Sequence, residues 1–307
     1  MLNFYPKPED FAPLTLDEKI GDEITRPPIS YWEDVWIRFR KNKLATIGLV
    51  VLSILITMAI IGPIISPWDY RTCDYGHVNE FVSKRHWFGT DYLGRDMFTR
   101  LWQGTRISVF IGITAAFLDL LIGVAWGGIA GYFGGIVDDI MMRIVDVLYG
   151  IPYLLVVILL LVVMEPGLTS IILAMSLTGW VGMARLVRGQ ILQLKEMEYV
   201  LAAKSVGASP RRIIARHLIP NTMGVVLVSL TSSIPGAIFG EAFLSFIGLG
   251  VPMPQASLGT LANEGYQVLR IYPQNMIIPA TVMSLLILSF NFVGDGLRDA
   301  LDPRLRQ

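Results

Sequence analysis

Ionisable side chains set among apolar residues are where this chain could do chemistry. Asp119, Arg143, Asp146 and Glu241 lie inside or at the edge of long apolar runs. A charge at the centre of a bilayer costs about 3 kcal/mol on insertion scales, so such residues serve pathways, relays or buried pairs. Arg143 and Asp146 share a helix face, which makes an intrahelical ion pair the plainest reading. Asp119 has three readings: it lines a path, meets a partner chain, or is held by Ser and Thr neighbours. Glu241 either faces a cavity or caps the loop that follows it. A second concentration, Gly89-Thr90-Asp91 and Gly94-Arg95-Asp96, alternates glycine with charge, a composition for tight turns and fixed side-chain networks. Arg95 paired with Asp91 or Asp96 for local stability is one reading of it. Catalysis is not indicated, because the chain has neither a GxSxG nucleophile turn nor an HExxH zinc helix. It also lacks a GxxxxGK(S/T) phosphate loop, so any nucleotide must be held by another chain. The single cysteine, Cys73, excludes an intramolecular disulfide and any multi-cysteine metal centre. His77, His86 and His217 are too scattered along the chain to suggest a metal site, and no cofactor is expected.

Helices in a bilayer must position these residues. Mean hydropathy is +0.55, and 16% of the residues are charged, against ~25% in soluble domains. A net charge of +0 points to no nucleic-acid partner. Six segments are long enough to span, given that ~20 apolar residues suffice. They run from about Leu44 to Ile65, Ile107 to Phe133, Ile140 to Met164, the turn Glu165-Pro166-Gly167 to Ala184, Pro220 to Phe246, and Met276 to Val293. Pro235-Gly236 predicts a kink in the fifth. The uncharged run Ala242–Asn263 carries Gly248, Gly250, Pro252, Pro254 and Gly259, and so reads as the end of span five plus a loop. Gly123, Gly127, Gly128 and Gly131 are suited to close helix packing. Of the 25 Lys and Arg, 18 fall on the side holding both termini and the segment 185–216, and 7 on the other. That bias places the termini and the central loop in the cytoplasm.

Met1–Ile29 is acidic and proline-bearing with no apolar core, unlike a signal peptide. Ser30-Tyr-Trp-Glu33 has the form of a capping box. Trp32, Trp36 and Phe39 then recur on one helical face, and Arg38, Arg40, Lys41 and Lys43 follow. This pattern predicts an amphipathic helix on the cytoplasmic leaflet; a plain extension of span one is the alternative.

The segment Glu198–Asn221 is polar and basic between apolar runs, and reads as two short helices around a corner. Ala202, Ala203 and Lys204 favour helix, Gly207 suits the position just past its end, Ser209 can cap the next, and Pro210 fits its first turn. A small-residue helix of this kind suits insertion into another protein's groove.

Several ordered blocks carry a resemblance that extends from about Trp32 to Arg304. They are Ala202-Ala203 with Gly207 and His217-Leu-Ile-Pro220, His86-Trp-Phe-Gly-Thr-Asp-Tyr-Leu-Gly-Arg-Asp96, Gly104-Thr-Arg-Ile-Ser108, and Gly131-Tyr-Phe-Gly-Gly135 with Asp138, Arg143 and Asp146. Ala184-Arg185, Arg188-Gly-Gln190, Glu241-Ala-Phe-Leu-Ser-Phe-Ile-Gly-Leu-Gly250 and Gly294–Arg304 follow. The chain resembles the C-type permease subunit of bacterial oligopeptide/dipeptide ABC importers.

The resemblance implies an all-α polytopic membrane protein of the bacterial cytoplasmic membrane. Residues 1–43 would be a cytoplasmic segment with its amphipathic helix, and 44–307 a six-span permease domain. Its external loops would be 67–105 and 248–275, and its coupling loop 187–220. Expected partners are a homologous second permease, two cytoplasmic ATPases that bind ATP and Mg, an extracytoplasmic peptide-binding protein and the lipid bilayer. The coupling residues implied are Glu198, Tyr199, Ala202, Ala203, Gly207, Ala208, Ser209, Pro210, Arg211, His217 and Pro220, with Arg212 and Arg216 able to steer. Gly89, Thr90, Asp91, Gly94, Arg95 and Asp96 would form the external cap that docks the binding protein, and Asp119 and Glu241 are pathway candidates. Two departures stand out. Leu201 occupies a place where the importer pattern usually has Glu, and Ser257-Leu258-Gly259 stands where many relatives carry Trp. Cargo readings are oligopeptides, dipeptides or a nickel chelate. A proton-driven secondary transporter using Asp119 or Glu241 is the rival class, although no internal repeat supports it.

Overall fold

The structure is a computed structural model and describes residues 30–301. The readings made for Met1–Ile29 and for Pro303-Arg304 fall outside the described residues. Helix α1 spans Tyr31–Lys41 and α2 spans Lys43–Ile65, with Asn42 extended between them. The Asn42 side chain accepts the Ala45 N–H at 3.2 Å and starts α2 afresh, so α1 is not an extension of span one. The capping box does not form: Ser30 makes no side-chain cap bond. Asp34 instead pairs with Arg38 one turn on, at 3.0 Å. The predicted aromatic face divides. Phe39 is buried with Val35 against Ala45, Ala300 and Leu301, while Trp32 stays 62% exposed and Trp36 stacks on Phe39 under Arg40.

Helix α3, Met97–Phe133, has 37 residues and begins well before Ile107. Asp96 caps it by accepting the Thr99 N–H at 2.8 Å, so the loop expected to reach 105 ends at Asp96. Helix α6, Leu168–Leu194, also outruns its expected end at Ala184. The two pack closely because of glycines. A Cβ on Gly123, Gly127 or Gly131 would collide with Met183, Ala184 or Ile191 respectively, whereas Gly128 has ordinary room beside Ile214.

The third apolar run is not one straight span. It forms α4, Gly135–Gly150, and α5, Tyr153–Val163, bent by 84°. Pro152 lacks an N–H and disfavours helical geometry at Ile151, which takes φ −91° and ψ 129°. Among the described residues five helices are long and apolar enough to cross a membrane, and the bent pair makes six.

Helix α7 is Glu198–Ser205. Helix α8 runs from Pro210 to Leu249 over 40 residues, through Pro220 and Pro235, and kinks only near its end at Gly248, where φ is +92°. It contains π-helical turns at Ile214–Leu218 and Ser245–Leu249. The second loop helix and span five are therefore one rod, not two elements separated at Pro220. The loop expected over 248–275 contains α9, Leu258–Gln267, opened by a capping box between Ser257 and Thr260. Helix α10, Gln274–Leu301, closes the described chain.

Two clusters hold the two ends of the bundle. Leu101, Trp102, Ile238, Leu258, Leu261 and Leu286 seal the end where α3, α8, α9 and α10 meet. Val187, Ile191, Val200, Ile213 and Leu218 bury the root of the α7–α8 corner at the opposite end of α6.

Candidate coupling site and cap

The α7–α8 corner forms as its local signals require. Gly207 takes φ +78°, a conformation costly for residues bearing a Cβ. Its N–H reaches Lys204 O at 2.9 Å, and the Ala208 N–H reaches Ala203 O at 3.0 Å, closing the end of α7. Ser209 caps α8 through the Arg212 N–H, and Pro210 sits in the first turn. Val200, Ile213 and Leu218 are buried and fix the corner to the bundle. Glu198, Tyr199, Ala202, Gly207, Ser209, Pro210, Arg211 and Pro220 are exposed, and Ala203, Ala208 and His217 are half-buried. Met197, Leu201 and Val206 are exposed as well, Val206 by 83%. The departure at Leu201 thus adds an apolar side chain to the outer surface of the corner. An exposed apolar patch on anchored backbone is the form of a partner surface.

Arg143 and Asp146 do not pair with each other. Asp146 Oδ1 accepts from Arg185 Nη2 of α6 at 2.7 Å, and Arg185 also lies over the Tyr149 ring. Arg188 grips Asp138 with Nη2 at 2.5 Å, and Lys195 Nζ donates to Gly131 O at 3.1 Å. These contacts tie α4 to α6, and α6 to the end of α3, beside the corner.

At the opposite end, all six cap candidates, Gly89, Thr90, Asp91, Gly94, Arg95 and Asp96, are buried. They build the loop from within and present little surface of their own. Arg95 Nε donates to Asp91 Oδ2 at 2.6 Å, and Arg100 Nη1 contacts the same carboxylate. Arg100 also forks onto Glu264 of α9 at 2.5 and 3.0 Å, and Arg95 Nη2 approaches Glu264 at 3.4 Å. Burial alone would lower the Arg95 pKa; Asp91 and Glu264 outweigh it, and the guanidinium stands raised. Asp96 receives His86 Nδ1 at 2.9 Å and holds Thr99. Despite their separation in sequence, His77 and His86 have ring centroids 6.4 Å apart. On the surface of the same loop, the Gly76 N–H holds the Asp74 carboxyl below the usual carboxylate range, and His77 and Arg85 add to the effect.

Glu241 has no exposed surface. Ser108 and Ser245 hydroxyls donate to it at 2.7 Å each, beside the start of α9. Asp119 is half-buried, with one carboxylate oxygen unpartnered and the carboxyl packed where a side chain on Gly179 would stand. No Ser or Thr neighbour holds it through a hydrogen bond to that oxygen.

A bundle of apolar helices with an exposed, anchored corner at one end and a buried charge network at the other is the architecture of a multi-span membrane permease. Residues 123–307 match the family model described as binding-protein-dependent transport system inner membrane component, and residues 30–81 match the N-terminal TM domain of oligopeptide transport permease C. The chain belongs to the family of inner-membrane components of binding-protein-dependent transport systems. It is 52% identical over 297 residues to the oligopeptide transport system permease protein OppC of Bacillus subtilis (strain 168), covering 97% of each chain. It is 55% identical over 288 residues to the dipeptide transport system permease protein DppC of the same organism, covering 94% of this chain and 90% of that one. The fold is also similar to an inward-facing MetNI methionine ABC transporter structure, with TM-score 0.54 and 20% identity, over 67% of this chain and 98% of the other. A self-sufficient secondary transporter is therefore not the class to which this chain belongs.

Proposed function

We propose that this chain forms half of the path of an ATP-driven peptide importer in the bacterial cytoplasmic membrane, with oligopeptides as cargo. Its termini and the α7–α8 corner face the cytoplasm. The second half of the path comes from a homologous permease, and two ABC ATPases bind ATP and Mg. A peptide-binding protein docks over the 67–96 loop on the external side. The observation that carries this reading is the corner, whose buried root (Val200, Ile213, Leu218) and exposed apolar surface (Met197, Leu201, Val206) can transmit a push. Because the six cap candidates are buried, docking falls to exposed neighbours such as Tyr75, Phe81, Val82 and Trp87. Asp119, with its unpartnered oxygen, is retained as a pathway candidate. Helix α1 lies on the cytoplasmic leaflet, where Trp32 and Trp36 suit the interface and Arg40, Lys41 and Lys43 the headgroups.

Proteoliposomes holding this chain with its partner subunits test the reading. Labelled peptide should accumulate only with ATP and all subunits, and a protonophore should leave uptake intact. Uptake by this chain alone, abolished by the protonophore, would refute it. Gly207→Trp should uncouple ATP hydrolysis from uptake or dissociate the ATPases; unchanged uptake and assembly would remove the corner from the mechanism. Dipeptides are a second cargo reading, favoured by the similarity to DppC, and competition between dipeptides and longer peptides separates the two.

A further inference from the structure

The 40-residue rod α8 reaches from the corner to the cap, and its far end is not free. Glu241, on its last turns, is fully buried with no Lys or Arg partner among the described residues. Its carboxylate is met by hydroxyls instead. Ser108 of α3 donates to Oε2 and Ser245 to Oε1, each at 2.7 Å. Ser108 Oγ in turn accepts the Leu258 N–H at 3.1 Å, the first backbone donor of α9. The carboxylate therefore holds the positive end of α9 through one intervening hydroxyl. The surrounding contacts leave no slack. A Cβ on Gly259 would strike the Ala242 backbone, and one on Gly250 would strike Ser245. Asn263 Nδ2 also donates to Phe246 O.

We propose that Glu241 is a positioning residue that latches α9 to α8, so that α9 travels with the rod when the corner is driven and opens or closes the external end of the path. The inference rests on the permease reading above. It adds that the link from corner to cap is covalent along α8 and is completed by one buried carboxylate. A hydrogen-bonded buried carboxylate is costly to strip of its donors, which suits a latch that must hold while α9, with the α3 turn and loop that Ser108 and Glu264 fasten to it, moves with the rod as one unit.

Two experiments in the reconstituted full transporter test the latch. Glu241→Ala should lower ATP-driven peptide uptake about tenfold, in the range of coupling between linked sites, while assembled complexes keep hydrolysing ATP. Glu241→Gln, which still accepts from a serine hydroxyl, should recover most of the uptake. A parallel fall in uptake and hydrolysis, or normal uptake in Glu241→Ala, would overturn the latch. The second experiment does not depend on that variant folding. In a Cys73→Ser background, Phe246→Cys and Tyr266→Cys replace rings whose centroids are 5.8 Å apart. Bridging them with a short reducible linker ties α8 to α9. Uptake should survive bridging if the two move together. Loss on bridging, restored by reductant, would show that α9 moves against α8 and would sink the proposal. Failure of ATP-driven uptake in the unmodified complex would instead count against the permease reading itself.

Discussion

Replacing Arg100 by Met tests whether the cap is held by charge or merely by packing. Arg100 is fully buried and forks onto Glu264 at 2.5 and 3.0 Å while also touching Asp91. The cluster is balanced, with Arg95 and Arg100 against Asp91 and Glu264. Removing one guanidinium leaves two carboxylates sharing Arg95. Breaking a buried pair by deleting one partner costs about 3–5 kcal/mol. Glu264 retains 16% side-chain exposure, so water relieves part of that cost, and about 3 kcal/mol is the fitting value. At roughly 2–4 °C per kcal/mol in a chain of this size, the midpoint in detergent should fall by about 6–12 °C. Glu264→Gln should fall by a similar amount for the converse reason. The double variant Arg100→Met/Glu264→Gln keeps the balanced Arg95–Asp91 pair, and should cost less than the sum of the singles by about 2 kcal/mol. Thermal unfolding of the four proteins in one detergent closes the cycle. Additive effects, or single shifts below about 2 °C, would refute the claim that these charges hold α9 to the loop.

Three further outcomes follow from the geometry. Gly127→Val should drive α3 and α6 apart and cost about 1–3 kcal/mol or more, seen as lost assembly or a lowered unfolding midpoint, whereas Gly128→Ala should be nearly neutral. Asp146→Asn breaks an exposed ion pair with Arg185 and should change stability by less than about 1 kcal/mol; a larger loss would mean that the pair does more than join α4 to α6. Asp74 has a lowered pKa in the folded loop, so its contribution is present above the unfolded value of about 3.9 and disappears as pH falls through the folded one. Proteolytic protection of the loop should therefore drop in that acid range, and Asp74→Asn should be less protected at neutral pH and lose that pH dependence.

The corner was legible because its signals are local: Gly207, Ser209 and Pro210 each act on backbone within a few residues. Span positions were legible from apolar runs, but ends were not. Asp96 and Ser257 are ordinary polar residues in sequence, and only their caps show that α3 starts early and α9 exists. Pro152 was visible as a residue, yet an 84° bend at that point requires α6 and α3 to hold α4 and α5 in place. Pairings over long separations were least accessible. Periodicity linked Arg143 to Asp146, while the fold turned Asp146 toward Arg185. Glu264 gave one usable signal, the first charge after an uncharged run, but nothing in sequence names Arg100 as its partner. Cap residues selected for charge and glycine proved to be internal supports, since tight turns bury the side chains that hold them.

Helix α3 has a consequence for the surrounding lipid. Its 37 residues extend about 55 Å at 1.5 Å per residue, some 25 Å beyond a hydrocarbon core of about 30 Å. A lone helix of that length would tilt until its apolar length matched the bilayer. This one is not free to do so, because its first turn, from Met97 to Arg100, is sunk in protein and its last turns are fastened to α6 at Gly131. Changes in acyl-chain length should be taken up by local thinning or thickening of the bilayer or by tilt of the bundle as a whole, leaving the separation between the corner and the cap independent of the lipid in which the chain resides.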